Sequence, residues 1–231
     1  HPSGNVGIQM HHIDPIKNSS DLRFYLSVQD LNRIGHFFKT GLYPNSRYFS
    51  VGGNASVEPA IYKTIIGTPL SHLQHISSNA NMRIISGDVL SGKEIDINHS
   101  PNYHDEVISI IKTNNKKEFL GWAMPGIHKY SLSNTFLSKI FSNKNTVLST
   151  KKNGSVRTII PMGNWDRVLP MDILPEFLIK NILANDVDMM EKLGIYECSP
   201  EDFALCSFVC QSKVEVSLII EQGLDVMEVE G

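Results

Sequence analysis

The three cysteines carry the most distinctive chemistry in this sequence. They are Cys198, Cys206 and Cys210, all near its end. Iron–sulfur clusters usually take four thiolates, often spaced C-x-x-C, so these residues alone cannot hold an all-cysteine cluster. Cys206 and Cys210 are four residues apart and share one face of a predicted helix. We predict small buried side chains packed with Phe203 and Phe208; a redox role, or a ligand role completed by a second polypeptide, stays open.

No glycine or histidine pattern predicts a catalytic, nucleotide-binding or metal site. Gly4-Asn5-Val6-Gly7 contains two glycines without completing G-x-G-x-x-G, which is more typical of a turn than of a phosphate cradle. The sequence has no P-loop, G-x-S-x-G or H-E-x-x-H motif. His11 and His12 are adjacent and would point to opposite faces of a regular strand, which disfavours a shared metal ion. We therefore assign no catalytic, cofactor-binding or metal-ligating residue.

The charges of the chain are strongly segregated. Residues 1–164 hold 17 Lys and Arg against 10 Asp and Glu, a net charge of +7, whereas residues 165–231 hold 4 against 14, a net of −10. Residues 119–165 contain no acid and six basic residues, namely Lys129, Lys139, Lys144, Lys151, Lys152 and Arg157.

Two interpretations of this basic stretch stay open: a solvated loop region, or a face turned toward anionic lipid or an acidic partner. Each lysine near an anionic leaflet contributes about 1 kcal/mol, so six would hold a peripheral protein there only with help from a partner. Nucleic acid is disfavoured because aromatic residues are not interleaved with the lysines.

Trp122 lies in an apolar stretch over residues 119–126 that ends in a turn. It is either a core tryptophan or part of the lining of a site for a flat apolar ligand.

Length and composition predict a folded domain. The chain has 231 residues, of which 41% are hydrophobic and 19% charged, enough for one large domain or two small ones. We expect no membrane-spanning helix, because no run of about 18 apolar residues occurs, and we find no signal peptide. Three cysteines without a disulfide pattern favour a reducing, cytoplasmic setting.

Hydrophobic periodicity predicts α/β elements first and helices later. A strand over 22–28, a helix over 29–39 stopped by Gly41 and a strand over 48–51 give an α/β order. Further strands are predicted over 61–66, 82–85, 107–111 and 118–122, with a short helix over 68–73. Helices are predicted over 174–183 and 186–193, from Ser199 as N-cap, and over 214–227.

Six segments together resemble one protein family. They are HPSGNVGIQMHHIDP (1–15), IIGTPLSHL (65–73), RIISGDVLSGKE (83–94), GWAMPGIHKYSLSNTFLS (121–138), PMGNWDRVLPMDILPEFLIKNILANDVDMMEKLG (161–194) and PEDFALCSFVC (200–210). In this order they are similar to segments of the A subunit of the sodium-translocating NADH:quinone reductases. The resemblance extends to about residue 225 and implies the C-terminal half of that subunit.

The resemblance implies an α+β fold in four parts. Residues 1–55 would be the remnant of a Rossmann-like, nucleotide-binding-like α/β domain, and 56–100 a β-grasp module for soluble ligands. Residues 101–164 would form a β-rich connection, and 165–231 a helical bundle without an iron–sulfur cluster. The family is related to the flavin- and NADH-binding subunit of respiratory complex I but lacks its flavin site and cluster cysteines.

The resemblance also implies a role. The whole enzyme oxidises NADH, reduces quinone and pumps sodium ions, with its flavins and iron centres in other subunits. The A subunit would be peripheral, on the cytoplasmic face of the bacterial inner membrane, against the main membrane subunit, close to the quinone end of the path. Quinone is then a candidate ligand, no cofactor is expected in this chain, and the six basic residues become the expected partner-facing or membrane-facing surface.

Three other functions remain alternatives. The first is a subunit of a ferredoxin-oxidising electron-transport complex, which the missing cluster motifs disfavour. The second is a β-grasp module that binds a small soluble molecule such as a cobalamin-like ligand. The third is a purely structural scaffold subunit.

Overall fold

The chain folds into two compact units in a computed structural model. The structure describes residues 1–74, 76, 79, 81–113, 119–121, 123–127, 129–130, 132, 135–140, 150, 152 and 154–231. Unit 1 combines residues 1–44 with 154–231, and unit 2 comprises 45–153. The predicted mixed α+β class is confirmed, whereas the finer division at residues 55, 100 and 164 stays a prediction.

Unit 1 is helical in the part of it that the structure describes. Its α-helices, in chain order, are α1 (Val6–Ile13), α2 (Val28–Thr40), α3 (Pro175–Leu183), α4 (Val187–Lys192), α5 (Ala204–Val209) and α6 (Val216–Glu230). A short 3₁₀ helix spans Ile195–Glu197. The predicted helices over 174–183, 186–193 and 214–227 are confirmed within a few residues.

The core of unit 1 lies among its later helices. Leu178 and Ile179 from α3, Ile220 from α6, and Phe203 before α5 are fully buried together. Gly223 of α6 faces Ile182 of α3, and a Cβ at Gly223 would come within 2.9 Å of that side chain. The small residue therefore permits close packing of the two helices.

Unit 2 contains a mixed sheet. Its strands are β1 (Ser46–Gly52), β2 (Ala60–Ile65), β3 (Met82–Ser86), β4 (Lys93–Glu94) and β5 (Val107–Lys112), and the spatial order is β2-β1-β5-β3-β4. β1 and β5 are parallel, while β2 pairs antiparallel with β1 and β3 antiparallel with β5. The four predicted strands over 48–51, 61–66, 82–85 and 107–111 are confirmed.

Side-chain alternation places the core on one face of this sheet. Phe49 and Val51 point into a cluster with Ile84, Ile108 and Ile110. The buried Arg47 guanidinium is satisfied by the backbone carbonyl groups of 101, 102 and 105. The loop before β5 is thereby fixed to β1.

Several predictions about single elements are wrong. Residues 22–27 are not a strand and α2 begins at Val28, because no neighbouring strand pairs with them among the described residues. Residues 119–121 form a turn instead of a strand. The helix expected from Ser199 begins at Ala204, after successive i to i+3 bonds from Ser199 to Ala204.

The start of the chain also differs from expectation. The predicted turn at Gly4-Asn5-Val6-Gly7 is confirmed only for Gly4 and Asn5, because α1 begins at Val6. His11 and His12 consequently lie on a helix and not on a strand.

Truncating Phe203 to Ala is expected to lower the free energy of unfolding of unit 1 by about 3–5 kcal/mol, because it removes a fully buried aromatic ring. Phe177→Ala is the matched control; that ring is 60% exposed and its loss should cost within about 0.5 kcal/mol. Urea unfolding followed by circular dichroism at 222 nm measures both. Equal losses would contradict the assignment of this core.

Candidate functional site

A cavity of about 100 Å³ lies in unit 1 next to one of the six basic residues. It is lined by Arg157, Ile159, Ile160, Met162, Asn164, Trp165, Glu176, Cys210, Gln211 and Ser212. The Arg157 N–H donates to the Ser212 carbonyl oxygen at 2.8 Å, and the Ser212 hydroxyl donates to the Thr158 carbonyl oxygen at 2.8 Å. Two hydrogen bonds therefore hold this wall of the cavity.

Another part of the cavity lining is fixed by Glu176 at the start of α3. One oxygen of its carboxylate accepts the N–H groups of Met162 and Gly163 at 2.9 and 2.8 Å. Gly163 has a φ of 65°, a left-handed conformation that favours glycine. The cavity is lined about equally by polar and apolar groups, with Arg157 and Glu176 as its charged residues, and it is smaller than the 300–1,000 Å³ typical of sites for drug-sized ligands.

Four of the six basic residues lie within the described part of the chain: Lys129, Lys139 and Lys152 in unit 2, and Arg157 in unit 1. Lys144 and Lys151, together with Trp122, lie outside the described residues. The Lys129 ammonium donates to the Gly121 carbonyl oxygen at 2.6 Å and lies 5.8 Å from the ring centroid of Phe136. This contact stabilises the local turn.

Of the remaining basic residues, Lys139 ends a 3₁₀ turn over Leu137–Lys139, and Lys152 and Arg157 are exposed. Arg157 alone of the described members lines the cavity. The hypothesis of a common partner-facing surface therefore stays a prediction.

The cysteines are buried and unpaired, as their predicted packing role requires. All three thiols are free, and Cys198, Cys206 and Cys210 are 7%, 0% and 3% exposed. Burial raises the pKa of Cys198 well above its usual range and the pKa of Cys206 to about 12. Such thiols stay protonated near neutral pH and are poor nucleophiles. Cys210 lies at the cavity wall, which sequence reasoning did not anticipate.

Sequence reasoning also missed how α1 is attached to the helical core. Nδ1 of His11 pairs with the Glu197 carboxylate, and Nε2 of His11 accepts the Asp172 N–H at 3.0 Å. His12 bonds to the Pro170 carbonyl oxygen at 2.9 Å through Nε2. The two histidines therefore fix α1 to residues 170 and 172, just before α3, and to the 3₁₀ helix over Ile195–Glu197. Among the described residues no group of three metal-ligating side chains occurs.

A buried carboxylate faces the first turn of α1. Asp202 is 1% exposed, and neither of its oxygens has a well-formed hydrogen bond within the described part of the chain. Gly7 lies against it so closely that a Cβ there would overlap the carboxylate. Burial raises the pKa of Asp202 and Glu201 raises it further, whereas the Asn5 side chain and the Ser199 backbone offset this only in part.

The apolar side of α2 is exposed. Its 13 residues include none that is buried, and Val28, Leu31 and Phe38 are 85%, 62% and 81% exposed. The extended segment before it exposes Leu22, Phe24, Tyr25 and Leu26. An exposed apolar area of this extent marks a contact surface. Within the described residues, no helix is long and apolar enough to cross a membrane.

Comparison with known proteins defines the class. The family described as "NqrA second alpha/beta domain" matches residues 1–43, and that described as "NQRA C-terminal domain" matches residues 49–96. These are domains of one kind of respiratory reductase subunit.

The full chain matches curated proteins that share one name. The A subunit of the Na(+)-translocating NADH-quinone reductase is 40% identical in Haemophilus influenzae (strain PittEE), 39% in Pasteurella multocida (strain Pm70) and 36% in Vibrio alginolyticus. Each match covers 100% of this chain and 52% of the relative. The chain is similar over its whole length to the A subunits of these reductases, and it spans about half the length of the curated relatives it matches.

Replacing Asp202 by Asn is expected to raise the melting temperature at pH 8, and the gain should shrink as the pH falls. A carboxyl group with a raised folded pKa destabilises the fold once ionised, so its penalty grows as pH rises through the folded pKa and disappears below the unfolded pKa near 3.8. Thermal unfolding of the two proteins between pH 4 and 8 measures this. The exposed Asp225→Asn is the control, and a loss of stability in D202N at pH 8 would contradict the account.

All three cysteines are expected to react slowly with iodoacetamide in the folded chain at pH 8, and readily after denaturation in urea. The reason is that burial keeps all three thiols inaccessible and raises the pKa of Cys198 and Cys206. Mass spectrometry of alkylated peptides would show this. Rapid native labelling of Cys198 or Cys206 would mean that the helical core is more open than described.

Proposed function

We propose that the chain is part of a peripheral subunit of a sodium-translocating NADH:quinone reductase, with an assembly and quinone-side role and no electron carrier of its own. The observation that carries the proposal is the match to the A subunits over 100% of this chain at up to 40% identity. Unbroken similarity of this length, across both structural units, favours a shared role over a single borrowed module. The buried, protonated thiols support a structural role for the cysteines.

The partners proposed on this basis are the other subunits of the reductase, above all the main membrane subunit, which would place the chain on the cytoplasmic face of the bacterial inner membrane. Flavins and iron centres would belong to those partners. Quinone remains a proposed ligand. The cavity at Trp165 is small for a quinone, so a site at Trp122 or one shared with a partner subunit fits this proposal better.

The fold of each part is proposed from the same family. Residues 1–55 would be the end of a Rossmann-like domain. The family that matches residues 1–43 is described as an α/β domain, and the structure gives those 43 residues two helices. Residues 56–100 would contribute to a β-grasp module, which is consistent with the mixed order of the sheet in unit 2.

Reversing the charge of Lys144, Lys151 and Lys152 to Glu is expected to reduce co-purification of the subunit with the membrane subunits at least severalfold, and less so at high salt, because charge complementarity governs such contacts. The experiment uses the whole complex with a tag on a membrane subunit. Reversing the exposed Lys17, Lys180 and Lys192 to Glu provides the control with the same charge change.

Unchanged assembly in the first triple variant would reject the basic stretch as the docking face. If the unaltered subunit itself fails to co-purify with the membrane subunits, the proposed function is wrong.

A further inference from the structure

The segment over residues 155–162 in unit 1 has backbone groups that are not used within the protein. It contains no helix, strand, turn or bend, and the Arg157 N–H attaches it to the helical core through the Ser212 carbonyl oxygen. The backbone N–H groups of Thr158, Ile159 and Ile160 form no hydrogen bond within the described part of the chain. Such a segment presents the main-chain groups with which a second extended segment can pair.

Apolar side chains of this segment are exposed next to the cavity. Ile160 and Met162 line the cavity and are 66% and 52% exposed, whereas Ile159 between them packs against the helical core. The buried Trp165 and Cys210 also contribute to the lining. With a volume of about 100 Å³, the cavity has room for one side chain of a partner and not for a drug-sized ligand.

The charges at the cavity favour an acidic partner. The exposed Arg157 guanidinium forms neither a hydrogen bond nor an ion pair with any residue that the structure describes. The other charged residue of the lining, Glu176, is engaged by the N–H groups of Met162 and Gly163. Residues 119–165 contain no acid. A carboxylate on another molecule would therefore complete the hydrogen bonding of Arg157.

We propose that residues 157–162 and the adjacent cavity bind an extended, acidic segment of another subunit of the reductase. That segment pairs with the backbone at residues 158–160, inserts one aliphatic side chain into the cavity and places a carboxylate against Arg157. Pro161 has no N–H and ends the pairing. Backbone pairing supplies affinity, while the cavity and the guanidinium select the sequence of the partner. This inference rests on the proposed function and adds to it a site and a partner chemistry.

An anionic membrane surface fits these groups less well. A lipid headgroup would pair with Arg157, but it has no backbone carbonyl groups to accept the three N–H groups of residues 158–160. The Glu176 carboxylate in the cavity lining would also repel a phosphate. The observations therefore favour a polypeptide over a lipid.

Photocrosslinking in the assembled reductase tests the contact. The photoreactive residue p-benzoylphenylalanine is placed at Ile160, and in the matched control at Leu218, an exposed apolar position on α6. We expect position 160 to crosslink to another subunit of the reductase, within a peptide in which an aliphatic residue lies beside Asp or Glu. Position 218 should not crosslink to that peptide. Mass spectrometry of the digested complex identifies both products.

Two substitutions test the same contact by its strength. Arg157→Glu and Ile160→Asp are each expected to lower retention of the subunit on a tagged membrane subunit about fivefold or more, because they remove the charge complementarity and the apolar anchor. Lys180→Glu and Leu218→Asp are the matched controls at exposed positions of α3 and α6. All four variants should keep the melting temperature of the unaltered chain, since each side chain is exposed.

The inference is overturned if position 160 crosslinks to no other subunit, to phospholipid or to a second copy of the chain, or if the two variants are retained as well as their controls. These failures differ from failure of the proposed function. If the unaltered subunit co-purifies with the membrane subunits while position 160 gives no crosslink to them, only the inference about residues 157–162 is lost.

Discussion

Burial of apolar side chains decides how this chain is organised. The helical segments after residue 164 bury Leu178, Ile179 and Ile220 in one core, and the sheet of unit 2 buries Phe49 and Ile108 in another. Residues 22–42 belong to neither core although they are rich in aromatic and aliphatic side chains. Because exposed apolar area is costly in water, this imbalance is the physical reason to regard the chain as part of a larger folded object.

Interactions between charged groups contribute less to the interior of the protein than apolar burial does. Burial keeps the Cys198 and Cys206 thiols neutral, and the carboxylate of Asp202 is buried against the first turn of α1 at a cost that its neighbours offset only in part. The α1 helix is instead secured by hydrogen-bonded pairs such as His11 with Glu197. The acid-free stretch differs most in its charge from the rest of the chain. The chemistry of its basic residues supports a proposed partner surface and not a catalytic centre.

The elements that sequence reasoning found correctly are those with local signals. Ser27 and Gly41 define both ends of α2, and Asp186 begins α4 because its side chain accepts the Met189 N–H. The strand β1 could be predicted because its buried and exposed residues alternate: Phe49 and Val51 face a core, whereas Tyr48 does not. The same reasoning failed for residues 22–28, since an apolar extended segment becomes a strand only beside a partner strand.

Contacts between distant residues could not be predicted in this way. Gly7 and Asp202, like His11 and Glu197, are far apart in sequence, and no periodic pattern relates them. The cavity with Arg157 and Cys210 depends on the same kind of distant packing. The family resemblance supplied what local patterns could not, namely the relation of the separate segments to one protein.

Hydrogen–deuterium exchange of the α2 amides tests the central claim most directly. The account predicts that the amides of Leu31 to Lys39 exchange within seconds in the 231-residue chain and become strongly protected in the assembled reductase, while Ile219 and Ile220 in α6 are protected in both. Equal exchange of α2 in the two states, whether fast or slow, would contradict the account.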